Sequence, residues 1–142
     1  MRLVVIDGQG GGFGRALIET LRRRGTKCEI WAVGTNSLAT AAMLKAGADA
    51  AATGENAALV NARRADVIAG PIGLVMAGSM MGECSPAIAA AVAESPAKKV
   101  LIPVTTCGAL VAGLAEKPLS GYIADAAELV EKLAAQAGET GR

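Results

Sequence analysis

Apolar positions along the chain fall in short blocks separated by glycine and polar residues. Residues 3–6 form an aliphatic run ending at Asp7, the pattern of a strand buried on both faces. Phe13, Leu17, Ile18 and Leu21 then recur at helical spacing up to Gly25, a natural helix stop. Residues 29–33 predict a second strand, and Asn36 or Ser37 can cap a helix ending near Gly47. A short third strand is expected at 48–52, a loop at 53–56 and a helix at 57–64. A fourth strand at 66–69 is expected to stop at Gly70 and Pro71, and the apolar stretch 72–81 predicts a buried helix containing Gly78. Ser85 followed by Pro86 marks a further helix start. Residues 99–104 predict a fifth strand and 109–114 a sixth that turns back antiparallel. Ile123, Ala127, Val130 and Leu133 give the buried stripe of a last helix starting near Ser120, with 136–142 as a frayed tail.

Strand and helix alternate from end to end, so the expected fold is α/β. The preferred architecture is a doubly wound, mostly parallel sheet of five to six strands in the order 3-2-1-4-5, Rossmann-like and built as one domain over residues 1–142.

Composition narrows the function classes. The net charge of +1 supplies no global field toward nucleic acid or an anionic membrane, and Phe13, Trp31 and Tyr122 are the only aromatics available for base stacking. The basic run Arg22, Arg23 and Arg24 falls at an expected helix C-terminus, where cations oppose the dipole. No stretch is apolar enough to span a bilayer, and the opening run is too short for a signal peptide. Three cysteines are too few, and odd in number, for a disulfide framework, which points to a reducing cytoplasm. Histidine is absent, which excludes a Ser-His-Asp triad and a histidine metal site; no cysteine pair has zinc spacing, and no metal is expected. The hydrophobic share of 52% is largely alanine, and a homo-oligomer would bury the surplus apolar surface.

The main functional signal is the segment Asp7, Gly8, Gln9, Gly10, Gly11, Gly12, Phe13 and Gly14, between an expected strand and an expected helix. Five glycines in seven positions exceed what one tight turn needs. Side-chain-free residues let backbone N–H groups approach a phosphate, and a helix N-terminus favours the anion. Strict G-x-G-x-x-G fails because Phe13 takes the sixth place, whereas Gly8-x-x-x-Gly12-x-Gly14 fits. This spacing resembles the loop of short-chain dehydrogenases. The resemblance implies NAD(P) or another nucleotide as ligand and covers only the first βαβ unit. The family's Tyr-x-x-x-Lys pair is missing, because Ala126 follows Tyr122 at that distance. Asp7 would repel a phosphate unless backbone donors neutralise it; it can instead bond the loop or a ribose hydroxyl.

Three further segments are expected at the same sheet edge. Gly34, Thr35, Asn36 and Ser37 stand where NAD-binding folds carry a ribose-binding acid. Thr53, Gly54, Glu55 and Asn56 offer polar groups to a base or substrate, or else cap a helix. Gly70, Pro71, Ile72 and Gly73 either pack against a cofactor or form a simple turn. Thr105, Thr106 and Cys107 follow the fifth strand, with Cys84 nearby; Cys28 reads as structural. Over nearly its whole length the chain resembles an uncharacterised bacterial family, a domain of unknown function, through residues 4–12, 34–37, 52–56 and 70–73.

Three functions are consistent with these residues. The first is a nucleotide-binding module. The second is a small-molecule enzyme using Asp7 or Glu55 as acid–base group and Cys107 as nucleophile. The third is an oligomeric interaction protein retaining only the fold.

Overall fold

The computed structural model describes residues 1–104 and 108–139. Strands and helices alternate as β1 (Arg2–Asp7), α1 (Gly12–Arg23), β2 (Glu29–Gly34), α2 (Ser37–Ala46), β3 (Ala50–Thr53), α3 (Glu55–Ala62), β4 (Val67–Pro71), α4 (Pro86–Glu94), β5 (Lys98–Ile102) and α5 (Leu119–Glu139). The five strands form one sheet in the order β3-β2-β1-β4-β5, and every pairing is parallel. This is the expected α/β, Rossmann-like order, with parallel strands joined by helical crossovers.

Helices cover both faces. Leu17, Ile18 and Leu21 of α1, Met43 of α2 and Ile123 and Val130 of α5 pack with Leu3 and Val5 on one side. Ala58 and Ala62 of α3 and Ile88 and Val92 of α4 pack with Val4 and Ile6 on the other. Successive β1 residues thus feed opposite cores, which is why the strand is aliphatic throughout. No helix among the described residues is long and apolar enough to cross a membrane.

Local chemistry sets the boundaries. Asn36 accepts a hydrogen bond from the Ala39 amide and caps α2; Ser85 does the same for Ile88 ahead of Pro86. Arg22 donates to the Gly47 carbonyl and pairs with Asp49, while Arg24 pairs with Glu131 of α5, so these two arginines tie elements together. At the same amino-terminal edge of the sheet the Arg2 guanidinium lies 3.6 Å from the Trp31 ring centroid and pairs with Glu29, its register partner on β2.

Four expectations fail. The stretch 72–81 is not a helix: it makes a short 3-10 turn at Ile72–Val75 and a second at Met80–Gly82. The Ser79 hydroxyl donates to the Gly73 carbonyl, and Met80 and Met81 are left-handed, which no α-helix tolerates. Residues 109–114 form no strand: among the described residues no strand pairs with them, and β5 ends the described sheet. β4 runs through Gly70 and Pro71 rather than stopping before them, pairing Gly70 with Leu101 and Pro71 with Ile102. Of the expected frayed tail 136–142, residues 136–139 are helical as the end of α5, and residues 140–142 lie outside the described residues.

Candidate functional site

The carboxyl ends of β1, β2, β3 and β4 bring the loops at 8–11, 35–36, 54 and 72–85 to one edge of the sheet. Strand order reverses between β1 and β4, which makes this edge the place where an open α/β sheet forms a crevice.

Asp7 closes β1 and is 1% exposed. One carboxylate oxygen accepts the Gly8 amide and the other the Gly14 amide, each at 2.8 Å. The N-cap residue of α1, Gly11, has no side chain to offer, so Asp7 caps the helix from beneath. Burial pushes its carboxyl above the ordinary aspartate value; the amides of Gly14, Gly8 and Phe13 pull it down, and the charge of Glu83 adds to the rise. Asp7 thus holds the loop together, one of the roles open to it from sequence.

Each loop glycine has its own surroundings. A Cβ on Gly8 would lie 2.6 Å from the Thr35 hydroxyl, 2.9 Å from Met80 Sδ and 3.1 Å from Glu83 Oε1. Gly11 is left-handed, a Cβ there would lie 2.9 Å from the Ala39 Cα, and a Cβ on Gly14 would strike Met43. Gly10 and Gly12 differ: both are exposed, neither has a positive φ, and no atom lies within 4 Å of the Cβ position. Among the described residues, none accepts a hydrogen bond from the amide of Gly10 or Gly12.

Glu83, which the sequence reading missed, joins the loops. Its Oε1 accepts the Gln9 amide at 2.9 Å, the Thr35 hydroxyl at 2.7 Å and the Asn36 side-chain amide at 2.7 Å. Partial burial works to raise its pKa, but the bonds from Thr35, Gln9 and Asn36 together outweigh it and hold the carboxyl below the ordinary glutamate value. No local motif marks Glu83; the only hint in the chain is a lone acid within an apolar, glycine-rich stretch.

The structure therefore gathers Asp7, Gly8, Gln9, Gly10, Gly11, Gly12, Phe13, Gly14, Thr35 and Asn36 around one edge. Ser37 is exposed at the start of α2. Thr53 shares a 2.7 Å hydrogen bond with Thr40 and serves the β2–β3 connection. Glu55 and Asn56 are exposed on the first turn of α3, beyond β3, and β2 separates that strand from β1 and Asp7. Gly34, Gly70, Pro71 and Gly73 are buried. A Cβ on Gly34 would meet Thr40 and the Asn36 carbonyl, one on Gly70 the Ile6 carbonyl, and one on Gly73 the Ser79 side chain. Close packing thus accounts for these three glycines.

Cys84 is buried, with its thiol 3.6 Å from the Leu74 carbonyl, and burial raises the pKa of Cys28. Thr105, Thr106 and Cys107 lie outside the described residues. The Tyr122 hydroxyl donates to the Ala115 carbonyl at 2.8 Å, on α5. No group of three or more Cys, Asp and Glu side chains among the described residues could hold a metal ion.

Comparison with curated proteins and with solved structures returns no match. Residues 2–135 match the family model described as Domain of unknown function (DUF3842). That match takes in every strand and nearly all of α5, and the chain belongs to this family.

Proposed function

We propose that the protein binds a nucleotide, NAD(P)-like or smaller, with its phosphate on the backbone amides of Gly10 and Gly12 at the start of α1; the Gly11 amide between them is taken by the Gly8 carbonyl. The observation that carries this reading is the pair Gly10 and Gly12. Packing or a left-handed backbone explains Gly8, Gly11 and Gly14, but neither explains these two. A ligand pressed against the backbone would require both to lack side chains. The residues gathered at this edge include no lysine or arginine, so amides and the helix dipole carry the anion, the latter adding roughly 0.3–1 kcal/mol. Asp7 opposes the phosphate only weakly, because its charge is already met by the Gly8 and Gly14 amides.

Substitutions at these two positions test fold and function with opposite signs. Gly10→Ala and Gly12→Ala should each stabilise the free protein by about 0.4–1 kcal/mol, by restricting the unfolded chain. Gly12→Val should abolish the thermal shift produced by NAD, NADP, AMP, ATP or FAD. For the native chain, a ligand at a hundred times its dissociation constant adds about 2.7 kcal/mol. Absence of any shift at millimolar nucleotide, or a shift that survives Gly12→Val, would remove this reading.

A homo-oligomer in a reducing cytoplasm completes the proposal. Leu110, Leu114, Leu119 and Leu129 are exposed along the 110–119 segment and α5, and covering them would remove apolar surface from water. Sedimentation at micromolar concentration should show a species larger than 14.1 kDa; monomer alone would refute the oligomer.

A further inference from the structure

We infer that Glu83 is the ribose-binding, specificity-determining residue of this site, accepting hydrogen bonds from the hydroxyls of a nucleotide that carries no 2′-phosphate. The inference rests on the nucleotide-binding reading above.

Doubly wound nucleotide-binding folds place an acid at the end of the second strand, where its carboxylate takes the ribose 2′-hydroxyl. Here that position is Gly34, and its surroundings forbid a replacement. A Cβ would fall on the Thr40 hydroxyl and 2.5 Å from the Thr40 amide nitrogen, so the strand cannot carry its own acid. Glu83 supplies a carboxylate at the same end of β2 from a different part of the chain. Its three donors are Gln9, two residues after β1, and Thr35 and Asn36, which directly follow β2.

Those bonds all fall on Oε1. Among the described residues Oε2 accepts none, and Glu83 is only half-buried, so the second oxygen is open to a ligand. The depressed pKa keeps the group ionised at neutral pH. An ionised carboxylate only accepts hydrogen bonds; it therefore suits a hydroxyl and repels a phosphate. The backbone before it is held in an unfavourable shape, with φ of 55° at both Met80 and Met81. Such conformations persist where the surrounding structure imposes them, and here they deliver Glu83 across β1 to the β2 end.

The test is calorimetric titration of the full chain with two ligand pairs, NAD against NADP and ATP against 2′-deoxy-ATP. The native protein should bind NAD and ATP at least about tenfold more tightly than their partners, since a site built to bond a hydroxyl penalises its loss or blockage. Glu83→Gln keeps the shape and removes the charge. It should bring NAD and NADP to within about threefold of each other while leaving the thermal midpoint of the free protein within a few degrees. A native protein that binds each pair equally would overturn the role of Glu83 and leave the nucleotide reading standing. So would a Glu83→Gln protein that loses affinity for NAD and NADP in equal proportion, since that marks a structural part only. Failure of these four nucleotides to bind would overturn the role of Glu83, and failure of AMP and FAD as well would overturn both readings. The native-chain comparison decides the matter even if the variant does not fold.

Discussion

Asp7→Ala should lower the unfolding free energy by about 2–4 kcal/mol, because it leaves two buried amides without a partner. The amides are those of Gly8 and Gly14, both buried, and each is now paired with a different carboxylate oxygen. Removing a desolvated charge returns part of the cost, which keeps the estimate below the sum of two full penalties. The pH dependence has a definite sign. Asp7 has its pKa raised on folding, so the folded chain holds the proton more readily than the unfolded one. Its contribution to stability is therefore greatest below the ordinary value of 3.8 and declines as pH rises through the folded value. Urea denaturation between pH 4 and 7 should show the native protein losing stability relative to Asp7→Ala as pH rises. A loss below about 0.5 kcal/mol at pH 7 would mean that the amides find other partners.

Gly70→Ala is expected to cost about 3 kcal/mol, the upper end of what overpacking does in a core. The added methyl would point at the Ile6 carbonyl oxygen and lie 2.6 Å from Leu74 Cδ1. The first obstacle is the backbone of β1 beside β4, which cannot swing aside as a side chain can. Urea unfolding should show a lower midpoint with an unchanged slope. The contrast with Gly12 is the point of the experiment: one methyl group is added in each case, yet one position has no room and the other faces solvent. Equal effects at the two positions would contradict the packing described for the sheet.

Much of the fold was legible because local chemistry and tertiary structure agree. The aliphatic run of β1 is buried on both faces, and Asn36, Ser85 and Pro86 cap helices where their side chains lead one to expect. Disagreement arises where composition permits two shapes. The segment after β4 is apolar enough for a helix, but the Ser79–Gly73 bond and two left-handed methionines fold it into turns. Residues 109–114 have strand-like composition, but no strand among the described residues pairs with them to complete a ladder. The candidate site divides in the same way. The glycine loop is visible as a contiguous motif, and the ambiguity of Asp7 resolves into a cap for α1. Glu83 stays hidden because it meets Gln9 across 74 positions of chain, a separation over which neither spacing nor periodicity carries a signal.

The Arg2–Trp31 stack gives the protein a built-in optical probe. Trp31 is the only tryptophan, half-buried on β2, with a guanidinium 3.6 Å above its ring. Its emission therefore reports on a single environment, where the first two strands pair at the centre of the sheet. When β1 separates from β2, the guanidinium leaves the ring and the indole enters water together. Fluorescence of the native chain can thus follow the opening of this strand pair without any introduced label.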